Sequence, residues 1–188
     1  MIATKDQEWR SIMFEIGSYV IYRAEGVCVI SDIRKENFGS LGNENEYYIL
    51  TPVSNKSSTV FVPVSNEKLV SLIRPLMSAI EIERMLDEIR NDRIEWINDS
   101  RARNTAFKEI LSRGDRRELC VLAITVFEKA EQITKNNKKV CPTDMTALRK
   151  AEKMLFDEFR ATTDIKDVSD VIRAIKGEIK LKAKIIEE

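Results

Sequence analysis

The chain has 188 residues, enough for one domain or two small ones, and 43% of them are hydrophobic, so a packed core is possible. Lysine and arginine together number 31, as do aspartate and glutamate, and the formal net charge is zero. A neutral chain is not expected to coat nucleic acid by bulk electrostatics, so any such contact needs a local basic patch.

The sequence lacks the residues from which many catalytic and metal sites are built. It has no histidine, which excludes Ser-His-Asp and Cys-His catalysis and histidine metal ligation. The three cysteines, Cys28, Cys120 and Cys141, are far apart and form no Cys-x-x-Cys pair, so neither a zinc site nor a redox motif is indicated. We therefore expect a protein that is not an enzyme, with no cofactor, no metal and no small-molecule substrate.

The sequence also predicts the cellular compartment of the protein. Its longest apolar run, residues 119–127, is too short to span a membrane, and the N-terminus has no apolar signal core. A sparse, odd set of cysteines fits a reducing compartment. These features predict a cytoplasmic protein without membrane contact, and residues 1–12 are predicted to be a polar N-terminal extension.

The first part of the chain, residues 13–77, has the pattern of a small β module. Runs of β-branched and aromatic residues predict four strands, at 19–22, 27–30, 46–50 and 59–62. Gly26 can supply a positive φ for the first turn, and Pro63 ends the fourth strand because proline cannot donate to a ladder. Four or five short strands in about fifty residues favour a small barrel or a strongly bent sheet of SH3 or Tudor size.

The rest of the chain predicts helices. Ser78 and Glu81 have the spacing of a capping box, Asp115 can cap a later helix, and Pro142 suits a first helical position. One helix has a nearly complete apolar stripe, which consists of Leu119, Leu122, Ala123, Val126, Phe127, Ala130 and Ile133. The apolar residues between Val168 and Ile179 predict a last helix. The expected fold class is therefore α+β, with a small Tudor/SH3-like β-barrel module followed by an all-α helical bundle domain.

A tryptophan stands just ahead of three basic residues in the segment 94–108, namely Trp96, Arg101, Arg103 and Lys108. The wider segment 93–117 has seven basic and four acidic residues, a local patch of net charge plus three. Cations that hold phosphates beside an apolar group at a base step are a plausible design for contact with nucleic acid. Packing of the indole against a neighbouring domain explains the same pattern and is the commoner use of an aromatic residue.

The helical spacing of this segment carries a further expectation. If the helix is continuous from Trp96, its stripe continues through Ser100 and Arg103 to Phe107 and Leu111. The upper half of that stripe is interrupted by polar residues. We therefore expect that Trp96 does not share a simple buried face with Phe107.

Several segments, taken in order, resemble one protein family. Met13-Phe-Glu-Ile-Gly17, Val20-Ile-Tyr22, Gly26-Val27, Glu46-Tyr-Tyr-Ile-Leu50 and Thr59-Val-Phe-Val-Pro63 are similar to the opening module of the CarD family of bacterial transcription regulators, a module also found in transcription-repair coupling factor. Phe107-Lys-Glu-Ile-Leu111, Gly114-Asp115 and Ala151-Glu-Lys-Met-Leu-Phe-Asp-Glu158 are similar to the helical half of the same family. Their order and spacing make the resemblance fairly specific from residue 13 to about residue 159.

The resemblance implies a Tudor-like domain at residues 13–77 that docks on the β subunit of bacterial RNA polymerase. It implies an α-helical DNA-contacting domain at residues 78–188 that touches promoter DNA, in the minor groove and on the backbone, at the upstream edge of the melted region. Such proteins affect the stability of the open promoter complex. Through the polymerase the protein would be associated with the nucleoid.

The resemblance also assigns roles to individual residues. In family members a tryptophan wedges into the minor groove while neighbouring basic residues hold the backbone. The corresponding DNA-binding residues here are Trp96, Arg101, Arg103 and Lys108. The positions of the polymerase contact on adjacent strands correspond to Glu36 and Phe61.

The sequence departs from the family pattern in three places. The family's Tyr-Pro-x-His-Gly turn is Tyr22-Arg-Ala-Glu-Gly26 here. Glu36 and Phe61 replace the basic residues with which the best-known members contact the polymerase. Trp96 lies about one helical turn farther from Gly114 than the family's tryptophan, and Ser100 has the matching spacing.

Two other functions remain open at this point. A protein-interaction adaptor without DNA contact would have an exposed apolar groove among its helices. An RNA-binding module would have aromatic side chains on an exposed barrel face beside basic residues. The promoter-binding function instead predicts that the three basic residues after Trp96 are exposed on one surface.

Overall fold

The computed structural model of the protein describes residues 14–38 and 44–184. It is an α+β structure in which a five-stranded sheet is followed by helices. Contacts divide the chain into two units: one contains the strands up to residue 74, and the other contains residues 21–26 and the chain from residue 75 onward. The predicted extension, residues 1–12, lies outside the described residues.

The sheet consists of strands β1 (Tyr19–Tyr22), β2 (Gly26–Glu36), β3 (Asn45–Pro52), β4 (Val60–Pro63) and β5 (Ile73–Pro75). Their order is β4-β3-β2-β1-β5, and β3 pairs antiparallel with both β2 and β4. Within the described residues this order is open, with β4 and β5 at the edges. The β half is thus confirmed as a sheet, while the closed barrel expected from the sequence is not what the strand order gives.

The sheet differs from the sequence prediction mainly in strand length. The register shifts between Ile30 and Asp32, a β-bulge that lets β2 continue to Glu36 instead of ending at Ile30. A bulge inserts an unpaired residue, bends the strand and increases its twist. The turn before β2 is a short 3-10 helix, Arg23–Glu25, and Gly26 has the predicted positive φ, at 73°.

The helices are α1 (Glu67–Val70), α2 (Ala79–Ile89), α3 (Ser100–Arg113), α4 (Arg116–Lys135), α5 (Pro142–Phe159) and α6 (Asp170–Ile175). The predicted helix starts are confirmed where a local cap defines them. Ser78 and Glu81 form both hydrogen bonds of the capping box, and Asp115 accepts hydrogen bonds from the first turn of α4. Pro142 is the first residue of α5, as its missing N–H group favours.

Helices α2 to α6 enclose a cluster of buried side chains, to which each of these five helices contributes an apolar face. The stripe predicted for α4 is part of it: Leu119, Leu122, Ala123 and Val126 are buried, and Phe127, Ala130 and Ile133 are half-buried. The most deeply buried large side chains of the other helices include Ile82, Met85, Leu155, Phe159 and Ile175. Within the described ranges, no helix is long and apolar enough to cross a membrane.

The supposition of a helix continuous from Trp96 does not hold, and one predicted helix boundary is wrong. The helix is not continuous from Trp96: α3 begins at Ser100, because the Asp99 side chain accepts a hydrogen bond from the backbone N–H of Ala102 at 2.8 Å. The last helix ends at Ile175 instead of continuing to Ile179, and Gly177 follows with a φ of 73°. A left-handed glycine just after a helix is a common stop.

Candidate functional site

One face of the sheet carries both residues predicted to contact a polymerase. In the register of β2 and β3, Glu36 lies opposite Asn45, and Phe61 on β4 lies opposite Ile49. Residues directly opposite each other on neighbouring strands point to the same face of the sheet, and so does every second residue along one strand. Since residues 45, 47 and 49 of β3 are alternate positions, Glu36 and Phe61 lie on the same face, with β3 between their two strands.

Three aromatic rings on this face form a cluster. The ring centroid of Phe61 lies 4.9 Å from that of Phe38 and 6.3 Å from that of Tyr47, and both pairs meet edge to face. Phe38 is 62% exposed, while Tyr47 and Phe61 are half-buried. An exposed ring supported by two others presents apolar surface in a fixed geometry, so this aromatic cluster is suited to contact with another protein.

Charged side chains lie beside the aromatic cluster. The Arg34 guanidinium donates to Glu36 at 2.7 Å and to Asp32 at 3.1 Å, so one cation bridges two carboxylates. The hydrogen bond to Glu36 raises the pKa of Arg34. Glu36 is therefore part of an ion-paired group with one excess negative charge, rather than a free acidic contact.

The predicted nucleic-acid residues belong to the helical unit, and Trp96 lies in the segment between α2 and α3. Its indole is half-buried, packs against the helical core and meets Phe107 edge to face, with ring centroids 6.3 Å apart. The expectation that Trp96 does not share a buried face with Phe107 is therefore wrong. Because the chain at Trp96 is not helical, helical spacing did not apply to it.

Two contacts hold the segment before Trp96 against α4. Arg93 makes a two-pronged ion pair with Glu128, at 2.7 and 2.6 Å, and this pair lowers the pKa of the Glu128 carboxyl. The backbone N–H of Ile94 donates to the Thr125 hydroxyl at 3.1 Å. The chain just ahead of the indole is thus anchored to α4.

Arg103 is not the exposed cation that the sequence predicted; it is only 5% exposed. Its guanidinium donates two hydrogen bonds to the Asp144 carboxylate, at 3.1 and 2.8 Å. It also donates to the backbone carbonyls of Ile97 at 2.7 Å and Asn98 at 3.2 Å. The guanidinium carbon lies 4.5 Å from the centroid of the Trp96 ring, within cation–π range.

The physical reason for this burial is the partner that α5 supplies. Asp144 is 1% exposed and lies in the first turn of α5, where the helix dipole favours a negative charge. Its hydrogen bonds raise the pKa of the Arg103 guanidinium, so the arginine remains charged although buried. Arg103 thus joins α3, α5 and the segment that bears Trp96.

Arg101 and Lys108 remain exposed, as predicted. They are seven residues apart on α3, which places them on one side of the helix about 10 Å apart along its axis. The structure therefore keeps two of the three predicted cations on one surface. A further cation, Lys129 of α4, lies near the indole, with its ammonium 5.8 Å from the centroid of the Trp96 ring.

Sequence reasoning missed both Lys129 and Asp144 because neither is near Trp96 in the chain. The Pro142 and Asp144 pattern indicated a helix start, but a helix start does not reveal that its acidic residue is buried against an arginine 41 positions away. Only the packing of α3 on α5 brings them together.

The structure defines an α+β protein whose sheet presents an aromatic cluster beside charged side chains. Residues 14–77 match the model of the CarD-like/TRCF RID domain family. Residues 14–77 are therefore similar to a CarD-like/TRCF RID domain, and the resemblance drawn from the sequence is confirmed for these residues. Comparison with curated proteins gave no match. That domain family interacts with the β subunit of RNA polymerase.

Proposed function

We propose that the protein is a transcription regulator that binds the RNA polymerase β subunit through its Tudor-like sheet domain and contacts promoter DNA through its helical bundle. Its effect would be on the stability of the open complex. The family match over residues 14–77 is the observation that carries the proposal. The test is whether purified bacterial RNA polymerase β subunit retains the full chain in a pull-down.

The aromatic cluster of Phe38, Tyr47 and Phe61 supports a specific docking surface. Aromatic residues are enriched among the residues that dominate binding energy in protein interfaces. Phe61 lies on β4, which is an edge strand of the sheet within the described residues, and an edge strand can pair with a strand from a partner. In this arrangement Phe61 is the anchor and Glu36, already paired with Arg34, lies at the polar rim.

Phe61→Glu should weaken binding to the β subunit about tenfold or more, because an aromatic anchor at an interface contributes about 2 kcal/mol or more and about 1.4 kcal/mol is tenfold. The measurement is the Kd of the full chain for the β subunit. Val53→Glu is the matched control, since Val53 is 46% exposed and lies outside the aromatic cluster. A Phe61→Glu variant that is folded by thermal melt and binds as tightly as the wild type would move the contact elsewhere.

The helical unit supports a revised DNA surface. Arg101 and Lys108 are the exposed cations that can reach phosphates, and Trp96 supplies the apolar group of the proposed wedge. The role we now propose for Arg103 is to position Trp96 by holding the adjoining backbone, since its own donors are already occupied. With these two roles, Arg103 holds the Trp96 indole in place while Arg101 and Lys108 remain exposed for contact with phosphates.

Binding of the isolated protein to duplex DNA should be weak and only mildly dependent on salt. Two phosphate contacts predict a log–log salt slope of roughly −1.8. Arg101→Ala and Lys108→Ala should each reduce its magnitude by about 0.9, whereas Lys166→Ala, at an exposed position elsewhere, should not change it. A slope of about −4 or steeper, or tight binding at high salt, would contradict a two-cation surface.

A further inference from the structure

A groove of about 740 Å³ runs between α3 and α5. Its lining residues on α5 lie between positions 146 and 154, a length of two helical turns or about 12 Å. Leu111 of α3 and Met154 of α5 are half-buried and line it with apolar surface. The groove is therefore long and apolar enough to receive side chains from another helix.

The polar side chains of the groove are strongly biased in charge. Lys108 from α3 and Arg149, Lys150 and Lys153 from α5 are all exposed. Among the eight described residues that line the groove, these four are cationic and none is acidic. Lys153 is already paired with Asp157 at 2.6 Å, so Lys108, Arg149 and Lys150 supply most of the available charge.

The combination of an apolar lining and a cationic rim selects among possible occupants. A DNA backbone would neutralise the cations but would cover Leu111 and Met154 without contributing apolar surface in return. An amphipathic helix places apolar side chains at spacing three to four in a groove while its flanking residues remain at the rim. Acidic flanking residues would complement the four cations, and complementary charge favours such a partner over others.

We propose that the groove between α3 and α5 is a docking site for an acidic amphipathic helix of a partner protein. The apolar side chains of that helix contact Leu111 and Met154, and its carboxylates pair with Lys108, Arg149 and Lys150. This surface lies outside the polymerase-binding sheet, so the proposal goes beyond the proposed function. It gives the helical unit a protein contact of the kind that the adaptor hypothesis predicted.

The test uses the full chain and a fluorescein-labelled synthetic helix of about four turns, with leucines at helical spacing on one side and glutamates beside them. Fluorescence anisotropy should detect saturable binding to the wild type. Arg149→Glu combined with Lys150→Glu should weaken it about tenfold or more, because like charges then face each other. Both positions are exposed, so this variant should melt like the wild type.

Two controls separate this site from general charge attraction. Lys139→Glu combined with Lys166→Glu makes the same charge change at exposed positions outside the groove and should leave binding within about twofold. A peptide of the same composition, with its leucines spread around the helix, should bind much more weakly. Equal binding of the two peptides, or equal loss in both double variants, would overturn the proposal.

A third outcome would identify a different occupant. If duplex DNA displaces the peptide and the Arg149→Glu, Lys150→Glu variant lowers the salt slope of DNA binding, the groove is a nucleic-acid surface and the proposal is wrong. Failure of polymerase binding would not affect this result, because the peptide assay contains no polymerase. The two proposals can therefore fail separately.

Discussion

Asp144→Ala should destabilise the protein by about 3–5 kcal/mol, because it leaves the Arg103 guanidinium buried without its counter-charge. Both side chains of this pair are less than a tenth exposed, so water cannot replace the lost partner. For a chain of this size a loss of this magnitude lowers the melting temperature by roughly 10 °C or more. A thermal melt followed by circular dichroism measures the change.

Asp157→Ala is the matched control, since it removes a carboxylate from the same helix but from a pair whose lysine is 59% exposed. Exposed pairs contribute about 0–1 kcal/mol, so this variant should melt close to the wild type. The double variant Asp144→Ala, Arg103→Met should recover part of the loss because it removes the unpaired charge. If Asp144→Ala instead melts like Asp157→Ala, Arg103 does not depend on Asp144 and its assigned positioning role is wrong.

The sequence predicted well the features that neighbouring residues determine. The capping box at Ser78, the cap at Asp115 and the proline at the start of α5 each depend on contacts within one turn. The apolar stripe of α4 was predictable for a similar reason, because helical periodicity is a property of the local sequence. The predicted polymerase residues also lie on one sheet face, although their role in binding remains a prediction.

The parts that could not be predicted depend on contacts between distant segments. Strand β2 continues to Glu36 past a register shift between Ile30 and Asp32, and no distinctive residue pattern marks that shift. The short strand β5 forms only because it pairs with a neighbouring strand. The charge of Arg103 does not indicate that its partner is a buried residue on α5. A basic residue near a tryptophan suggests a phosphate contact from the sequence alone, whereas Arg103 holds the segment that bears Trp96.

The groove between α3 and α5 illustrates the same limit. Lys108 was visible in the sequence only as part of the patch around Trp96. The structure shows that it also lies opposite the cations of α5. One lysine thus belongs to two candidate surfaces, and Lys108→Ala alone cannot assign its role. Separate variants at Arg101 and at Arg149 are needed to distinguish DNA contact from helix docking.

Trp96→Ala should affect open-complex lifetime and, to a smaller degree, stability. Replacing a fully buried tryptophan by alanine lowers the free energy of unfolding by about 3–5 kcal/mol. Because Trp96 is only half-buried, we expect a loss of about 2 kcal/mol. The loss comes from the contacts of the indole with Phe107 and Arg103. If the indole fills an unstacked base step, the variant should also lose its effect on promoter opening while it still binds polymerase.

Ile172→Ala separates these two consequences, because Ile172 is buried in α6 and has no contact with DNA in the proposed function. Its loss of stability, about 2 kcal/mol or more, should equal or exceed that of Trp96→Ala. Open-complex decay is then measured well below both melting temperatures, with polymerase binding checked for each variant. Since both proteins are folded under these conditions, only the Trp96→Ala variant should shift the lifetime toward that of polymerase alone. Equal lifetimes for the two variants would show that Trp96 acts through packing, and the wedge would have to be assigned to another side chain.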